Sequence, residues 1–350
     1  MDIREATVND NQELQNIQAQ CPMGASLIVS SVNAPDFFAR AKAYERWKVY
    51  VACDNNRIIG SAATAIREAV INGSLKSIGY EFQYFTRPEY RKQGVAVMLH
   101  RHIEDYLKKE GVALSFLVIM EGNKPSIRLF ESQGFKLYHI LVMPIVFSYK
   151  AIEMPSVAQI RPINHRDLTT AAELLNETWK GHDFYEPHTA ESLARFIERT
   201  PGLTFNDFIV LEDRTEIFGC LGAWDWSQIT KLTVKALSLR LRMITLITDF
   251  ANLFRPMPRS VKPGTTLKQW CLTLIGFKAP EHFATLLTYM NNLAMKRGID
   301  QIFFACEQGH DILNALKGLF NVNVGVHLYI KSFDEELVAK NRVFLHGIDL

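Results

Sequence analysis

Between Ile78 and Thr86 apolar and polar residues alternate and aromatics are frequent, the pattern of a half-buried strand that Pro88 stops. After Arg91-Lys92-Gln93-Gly94-Val95-Ala96, the residues Val97, Leu99, His100, Ile103 and Leu107 come at helical spacing, and Leu114–Met120 reads as the next strand. Lys48–Ala52 and Ile58-Ile59-Gly60, joined by the polar turn Asp54-Asn55-Asn56, read as a hairpin. Similar segments return later. Ile3-Arg4 recurs as Ile160-Arg161 at an offset of 157, and Ile58-Ile59-Gly60 as Ile217-Phe218-Gly219 at 159, after Phe208–Leu211 and the turn Glu212–Glu216. The helix ending at Gly111 and the strand after it recur at an offset of 187, at Gly298 and Gln301–Cys306.

The growth of the offset from 159 to 187 implies about 28 extra residues in the second copy, placed between Trp226 and Thr265. The seam falls at Glu153–Gln159, a linker containing Pro and Ser after the apolar strand Ile140–Phe147. Each copy reads as strand, helices, three strands, helix, strand, helix, strand. That order predicts an α/β fold with a mixed sheet, in two domains spanning residues 1–152 and 158–350. Composition agrees: 350 residues, 48% apolar, are enough for two packed cores.

Charge narrows the partners. Lys+Arg total 39 against 37 Asp+Glu, a net charge of +2, so no global field draws in nucleic acid. The first ten residues hold three acids and one base, unlike a secretory signal, and no apolar run is long enough to span a bilayer. Five scattered cysteines without a CxxC read as free thiols of a cytoplasmic protein, with no metal site.

The strand, turn and helix around Gly94 carry the clearest chemistry. Small residues at Gly94 and Ala96 let an anion approach the backbone. The free amides of the first helical turn point at it, and Arg91 and Lys92 add positive charge. A Gly that merely relieves crowding is the competing reading. The continuation Asn123-Lys124-Pro125-Ser126, then Leu129-Phe130 and Gly134-Phe135, completes an ordered pair of motifs, R-x-x-G-x-A and N-x-x-S-x-x-L-F-x-x-x-G-F. This pair resembles the GNAT superfamily of N-acetyltransferases, over residues 1–150.

The resemblance implies two tandem acyl-CoA N-acyltransferase (GNAT-like) domains, acetyl-CoA as cosubstrate, and an amine substrate, small molecule or protein. By it, Arg91, Lys92 and the amides of Gln93, Gly94, Val95, Ala96 and Val97 hold the pyrophosphate. Main-chain groups of Phe85 and Thr86 bond the pantetheine, and Asn123 and Ser126 lie beside the cofactor arm. The family's usual acid is a tyrosine where this chain has Phe130, so Tyr138 is a substitute candidate, with an aromatic filling the sheet edge as the alternative. For the base, Glu81 is the nearest carboxylate but needs a bulge to reach the substrate face; Tyr80 and Glu121 are alternatives. His100 is expected on the helix surface.

In the second copy Arg91, Gly94 and Ala96 correspond to Lys278, Glu281 and Phe283, and Asn123 to His310, so no CoA is expected there. The whole is similar to Hookless-type plant N-acetyltransferases, through Leu129-Phe130, Pro88–Gly94 and Ala294–Gly298. In the basic insertion, Leu237, Leu241, Ile244 and Ile247 share a helical face flanked by Lys235, Arg240 and Arg242. A helix packed over the domain junction is expected in preference to membrane contact through residues 231–259. Few aromatics interleave there, which argues against nucleic acid. Beside the enzyme stands a second reading, a non-catalytic module that binds acetyl-CoA or docks a protein.

Overall fold

The computed structural model describes residues 1–154, 159–213, 216–333 and 341–350. Residues 155–158, in the linker read at Glu153–Gln159, and Arg214-Thr215, in the turn Glu212–Glu216, lie outside them.

The first half runs β1 (Asp2–Glu5), α1 (Asn11–Ala19), β2 (Leu27–Asn33), β3 (Arg46–Asp54), β4 (Arg57–Ile71) and β5 (Ser74–Thr86). Then come α2 (Val95–Lys109), β6 (Leu114–Met120), α3 (Lys124–Ser132) and β7 (Lys136–Phe147). The second half opens with β8 (Gln159–Pro162), α4 (Leu168–Thr178), α5 (Ala190–Arg199), β9 (Phe208–Asp213) and β10 (Glu216–Asp225). It continues through β11 (Thr230–Leu237), α6 (Leu239–Ala251), β12 (Thr266–Leu267), β13 (Gln269–Phe277) and α7 (Pro280–Lys296). It closes with β14 (Gln301–Phe303), β15 (Cys306–Glu307) and β16 (Asn321–Ser332).

One 13-stranded sheet crosses the molecule in the order β1-β3-β4-β5-β6-β16-β7-β14-β13-β10-β9-β8, with β15 paired to β7. The order is symmetric about the β16–β7 pair. Its two parallel pairings, β5 with β6 and β13 with β14, occupy matching places. At the centre the halves exchange strands: β16 lies on β6 over Leu114–Met120, while β7 lies on β14. Each half therefore supplies the strand that covers the other's last parallel strand, and the open edges this removes would otherwise be sticky.

Helix α2 buries Val95, Leu99, Ile103 and Leu107, one per turn, against one face of the sheet. The opposite face carries a core drawn from both halves, including Leu14, Phe82, Phe184, Phe196, Trp224 and Ile348. A second, three-stranded sheet, β12-β11-β2, ties the insertion to the first half. Thr230–Leu237 is thus strand rather than helix: pairing to β2 along its whole length overrides the helical spacing that Leu237 shares with Leu241. All five cysteines are free thiols, and only Cys53 is not buried.

Buried charge also joins the halves. Arg67 on β4 meets Asp349 at 2.8 Å with both side chains almost fully buried, and the Tyr44 hydroxyl donates to the same carboxylate at 2.7 Å. Beside this pair, burial and the charges of Arg199 and Arg67 hold His188 down at about 4, while burial pushes Glu186 up. His188 folded is neutral where His188 unfolded, titrating near 6.5, binds a proton. Its contribution is complete above pH 6.5 and is lost as pH falls towards 4. Buried His346, held low by desolvation, acts with the same sign, and Glu186 with the opposite one. Urea unfolding should show stability falling by on the order of 2 kcal/mol between pH 7.5 and 5 on account of His188. His188→Gln should flatten that slope; an unchanged slope would remove His188 from the account.

Candidate functional site

The site begins where two strands part. β5 and β6 pair only at Ile78–Leu114, Gly79–Ser115 and Tyr80–Phe116. β5 then continues on β4 to Thr86, while β6 follows β16 to Met120, so the facing edges open into a wedge. A register shift between Ser61 and Ala63 of β4 sets Gln83 and Tyr84 of β5 against the single residue Ala62, with Gln83 at φ +54°. This bulge turns the end of β5. The Arg87 N–H donates to Ile59 on β4, so by alternation Phe85 directs its polar groups to β4 and Thr86 directs its own into the wedge. There the Thr86 carbonyl accepts the Cys21 thiol at 3.3 Å.

The turn after β5 fits an anion. Lys92 (φ +62°) and Gly94 (φ +81°) stand left-handed either side of Gln93, a backbone nest whose amides converge. The first i→i−4 bond of α2 is Met98 N–H to the Gly94 carbonyl, which leaves the amides of Val95, Ala96 and Val97 without intrahelical acceptors. A Cβ added at Gly94 would meet nothing within 4 Å. The left-handed φ, rather than relief of crowding, accounts for this glycine, and the space around it is open. Gly60 answers the crowding instead: a Cβ there would stand 2.7 Å from Val95 and 2.9 Å from the Phe85 carbonyl, so its absence lets α2 seat against β4. Arg91 and Lys92 are exposed, Arg91 lying 3.5 Å from the Cys21 sulfur, and the Gln93 side-chain amide donates to the Glu89 carbonyl. Asn123 caps α3, accepting the Ser126 N–H at 3.3 Å, and both residues are half-buried at the end of β6.

The three catalytic candidates have other partners. Glu81 is buried on the α2 face, accepting Ser115 Oγ at 2.6 Å and the Tyr84 hydroxyl, with His100 Nδ1 at 3.0 Å. The bulge that Glu81 requires does exist, but it falls after Glu81. It brings Tyr84 onto the Glu81 face and leaves Glu81 where strand alternation puts it. His100 is 1% exposed, a core residue rather than a surface one, because its helix face meets Glu81, Phe130 and Phe135. On the other face the Tyr80 hydroxyl donates to the Asp349 carbonyl at 2.6 Å, and burial pushes its pKa up to about 12. The Tyr138 hydroxyl donates to Asp183 at 2.8 Å, and burial with that carboxylate raises its pKa. Phe130, at the family's tyrosine position, is buried edge-on against Tyr84 and Phe135. Glu121, at the end of β6, is exposed.

The sequence reading missed Arg40. Its guanidinium lies over the rings of Tyr80 (5.8 Å), Phe82 (5.2 Å) and, from the second half, Trp226 (5.6 Å). It donates to the Tyr80 hydroxyl at 2.9 Å. Arg40 Nε, Gln83 Oε1 and Trp226 Nε1 are each buried without a hydrogen-bond partner, so this face of β5 carries polar atoms with capacity to spare. Nothing local marks Arg40, since its partners lie 40 or more residues away.

In the second half β13 repeats the design, with Leu274 at φ +51° beside a register shift, and β13 pairs with β14 over three residues. Phe283, fully buried in α7, packs edge-on against Phe304 at 5.5 Å, and Glu281 stands in the helix's first turn.

Residues 12–135 match the profile of the Acetyltransferase (GNAT) family. The ribosomal protein bS18-alanine N-acetyltransferase of Escherichia coli strain K12 is 32% identical over 91 residues, 26% of this chain and 56% of that protein. The chain thus spans about half the length of the curated relatives it matches. Saccharomyces cerevisiae N-myristoyltransferase with bound myristoyl-CoA superposes with a TM-score of 0.66 at 8% identity, over 96% of this chain and 83% of the other. A GCN5-related N-acetyltransferase from Sphaerobacter thermophilus gives 0.56 at 12% identity, over 96% and 97%. At such identities these two likenesses show the fold: a mixed α/β architecture of the GNAT kind along nearly the whole chain.

Proposed function

We propose that this chain, whose residues 12–135 carry a GNAT-family acetyltransferase domain, is an acetyl-CoA-dependent N-acetyltransferase that acts on an amine by direct attack. The observation that carries the reading is the open wedge between β5 and β6 leading to the left-handed turn at Lys92–Gly94. In this reading the amides of Gln93–Val97, with Arg91 and Lys92, hold the pyrophosphate, and Tyr84 and Thr86 offer wedge-side main-chain groups to the pantetheine. Asn123 and Ser126 line its far side. Bound there, acetyl-CoA supplies an acyl group activated as a thioester.

The residues of this chain then have three tasks. A backbone N–H at the Gln83–Tyr84 bulge faces the thioester carbonyl as a donor. Arg40, Gln83 and Trp226 form the polar wall on the acceptor side, so that the second half shapes the cleft without holding cofactor. Glu121, left in solvent at the end of β6, takes the ammonium proton through water. We read the chain as two successive GNAT-like units meeting near residues 152–158, and the shared bulge of β5 and β13 supports this.

Thiol release from acetyl-CoA, followed over a panel of amines and peptide N-termini, tests the proposal. Wild type should release thiol with at least one acceptor, and Gly94→Glu with none. The hydrogen bonds that occupy Glu81, Tyr80 and Tyr138 favour a second reading, a non-catalytic acetyl-CoA-binding module. Binding without turnover on any amine would select it.

A further inference from the structure

Helix α6 presents its apolar side to solvent. At about 100° per residue, Leu239, Met243, Leu246, Ile247 and Phe250 fall within an arc of roughly 100°. All five are exposed, Leu239 by 79% and Phe250 by 66%. Phe254, 77% exposed just past the helix, packs edge-on against Phe250 and prolongs the ridge. The side turned to the protein holds Leu241, half-buried against the small sheet, with Thr245 and Thr248, whose hydroxyls bond back to the helix carbonyls. This is the reverse of a helix packed over a core, and it overturns the expectation of a helix covering the domain junction. Among the described residues no side chain of α6 is buried.

Charge decides what could cover such a ridge. By helical angle Arg242 and Arg240 stand at its two margins, and Lys231, Lys235, Arg255, Arg259 and Lys262 flank the helix in the sequence. Among the described residues the ion pairs of this segment are Lys262 with Asp249 and Arg259 with Asp300, which leaves the marginal arginines exposed and without an acid. A second copy seated symmetrically on the ridge would set arginine against arginine. A planar anionic surface suits both features, taking the apolar side chains below its headgroups and the arginines among them.

We propose that α6 is an in-plane anchor that binds this protein to anionic lipid bilayers. Among the described residues no helix is long and apolar enough to cross a membrane, so the attachment is peripheral. The anchor is tied to the candidate site. The Ser238 N–H that opens α6 donates to the Ser26 carbonyl, and Cys21, five residues earlier, touches Thr86 at the wedge. That length of chain spans at most ~18 Å, so a docked α6 holds the wedge close to the headgroups. The proposal does not depend on acyl transfer.

Vesicle co-sedimentation of the full chain tests it, with phosphatidylcholine alone and with about a third phosphatidylserine. Wild type should pellet with the second and stay in solution with the first, and salt should weaken the binding. Arg240→Gln with Arg242→Gln should lower partitioning roughly thirtyfold, the equivalent of ~1 kcal/mol for each arginine. Leu246→Asp with Phe250→Asp should abolish it at unchanged circular dichroism; if that pair misfolds, the arginine pair carries the test. Wild type remaining in solution with anionic vesicles overturns the proposal, as does pelleting that ignores both pairs or salt. So does a solution dimer, seen by light scattering, that Leu246→Asp with Phe250→Asp breaks.

Discussion

Gly94→Glu is expected to abolish acetyl-CoA binding while the protein stays folded. Glycine holds φ +81° at this turn, so any L-residue there costs about 1 kcal/mol, well within the stability of a domain. The added side chain meets no protein atom near its Cβ, so the fold has no steric reason to fail. It does bring a bulky side chain and a negative charge to the turn where the proposal places a pyrophosphate. The second half lacks this turn: α7 starts after the extended Ala279 and carries Glu281 inside its first turn. Calorimetric titration should show one equivalent bound by wild type and none by the variant. Two equivalents would mean that the wedge beside Phe283 opens to ligand. No binding by wild type would leave the GNAT architecture without its ligand, and the acyl-transfer reading would fall.

Arg67→Met is expected to lower unfolding free energy by about 3–5 kcal/mol, because it strands the Asp349 carboxylate in the core. That carboxylate is fully buried, and after the change its remaining side-chain partner is the Tyr44 hydroxyl. Adding Asp349→Asn removes the stranded charge but keeps an acceptor for Tyr44, so the double variant should recover part of the loss. Coupling between the two positions, read by urea denaturation, separates this account from simple loss of packing. An Arg67→Met protein within about 1 kcal/mol of wild type would show that water reaches Asp349.

The contacts at stake join residues 282 positions apart in Arg67 and Asp349, and 269 apart in Tyr80 and Asp349. They show where the reach of a sequence pattern ends. The alternation in Ile78–Thr86 and the spacing of Leu99, Ile103 and Leu107 reflect local backbone periods, and both elements formed where those periods put them. The Gly94 turn was legible for the same reason, since a left-handed residue before a helix is a local demand. The partners of Glu81, Tyr80 and Tyr138 were not. Each residue depends on a partner from a distant segment, and Glu81 also on which side of it a bulge falls.

Local chemistry in the sequence therefore determined most strands and helices of the first half, though not β2, a strand where helices were expected, together with the turn at Gly94 and the motif pair that points to the GNAT family. The tertiary structure decided what those elements touch. It exchanged β7 and β16 between the halves, because an isolated strand carries no record of which edge it will join. It buried His100 between Glu81 and the rings of Phe130 and Phe135, and it set Arg40 among rings from both halves. It also turned the apolar side of α6 outwards. A helical period states that one side is apolar; only the packing of the rest of the chain settles whether that side meets a core or the solvent.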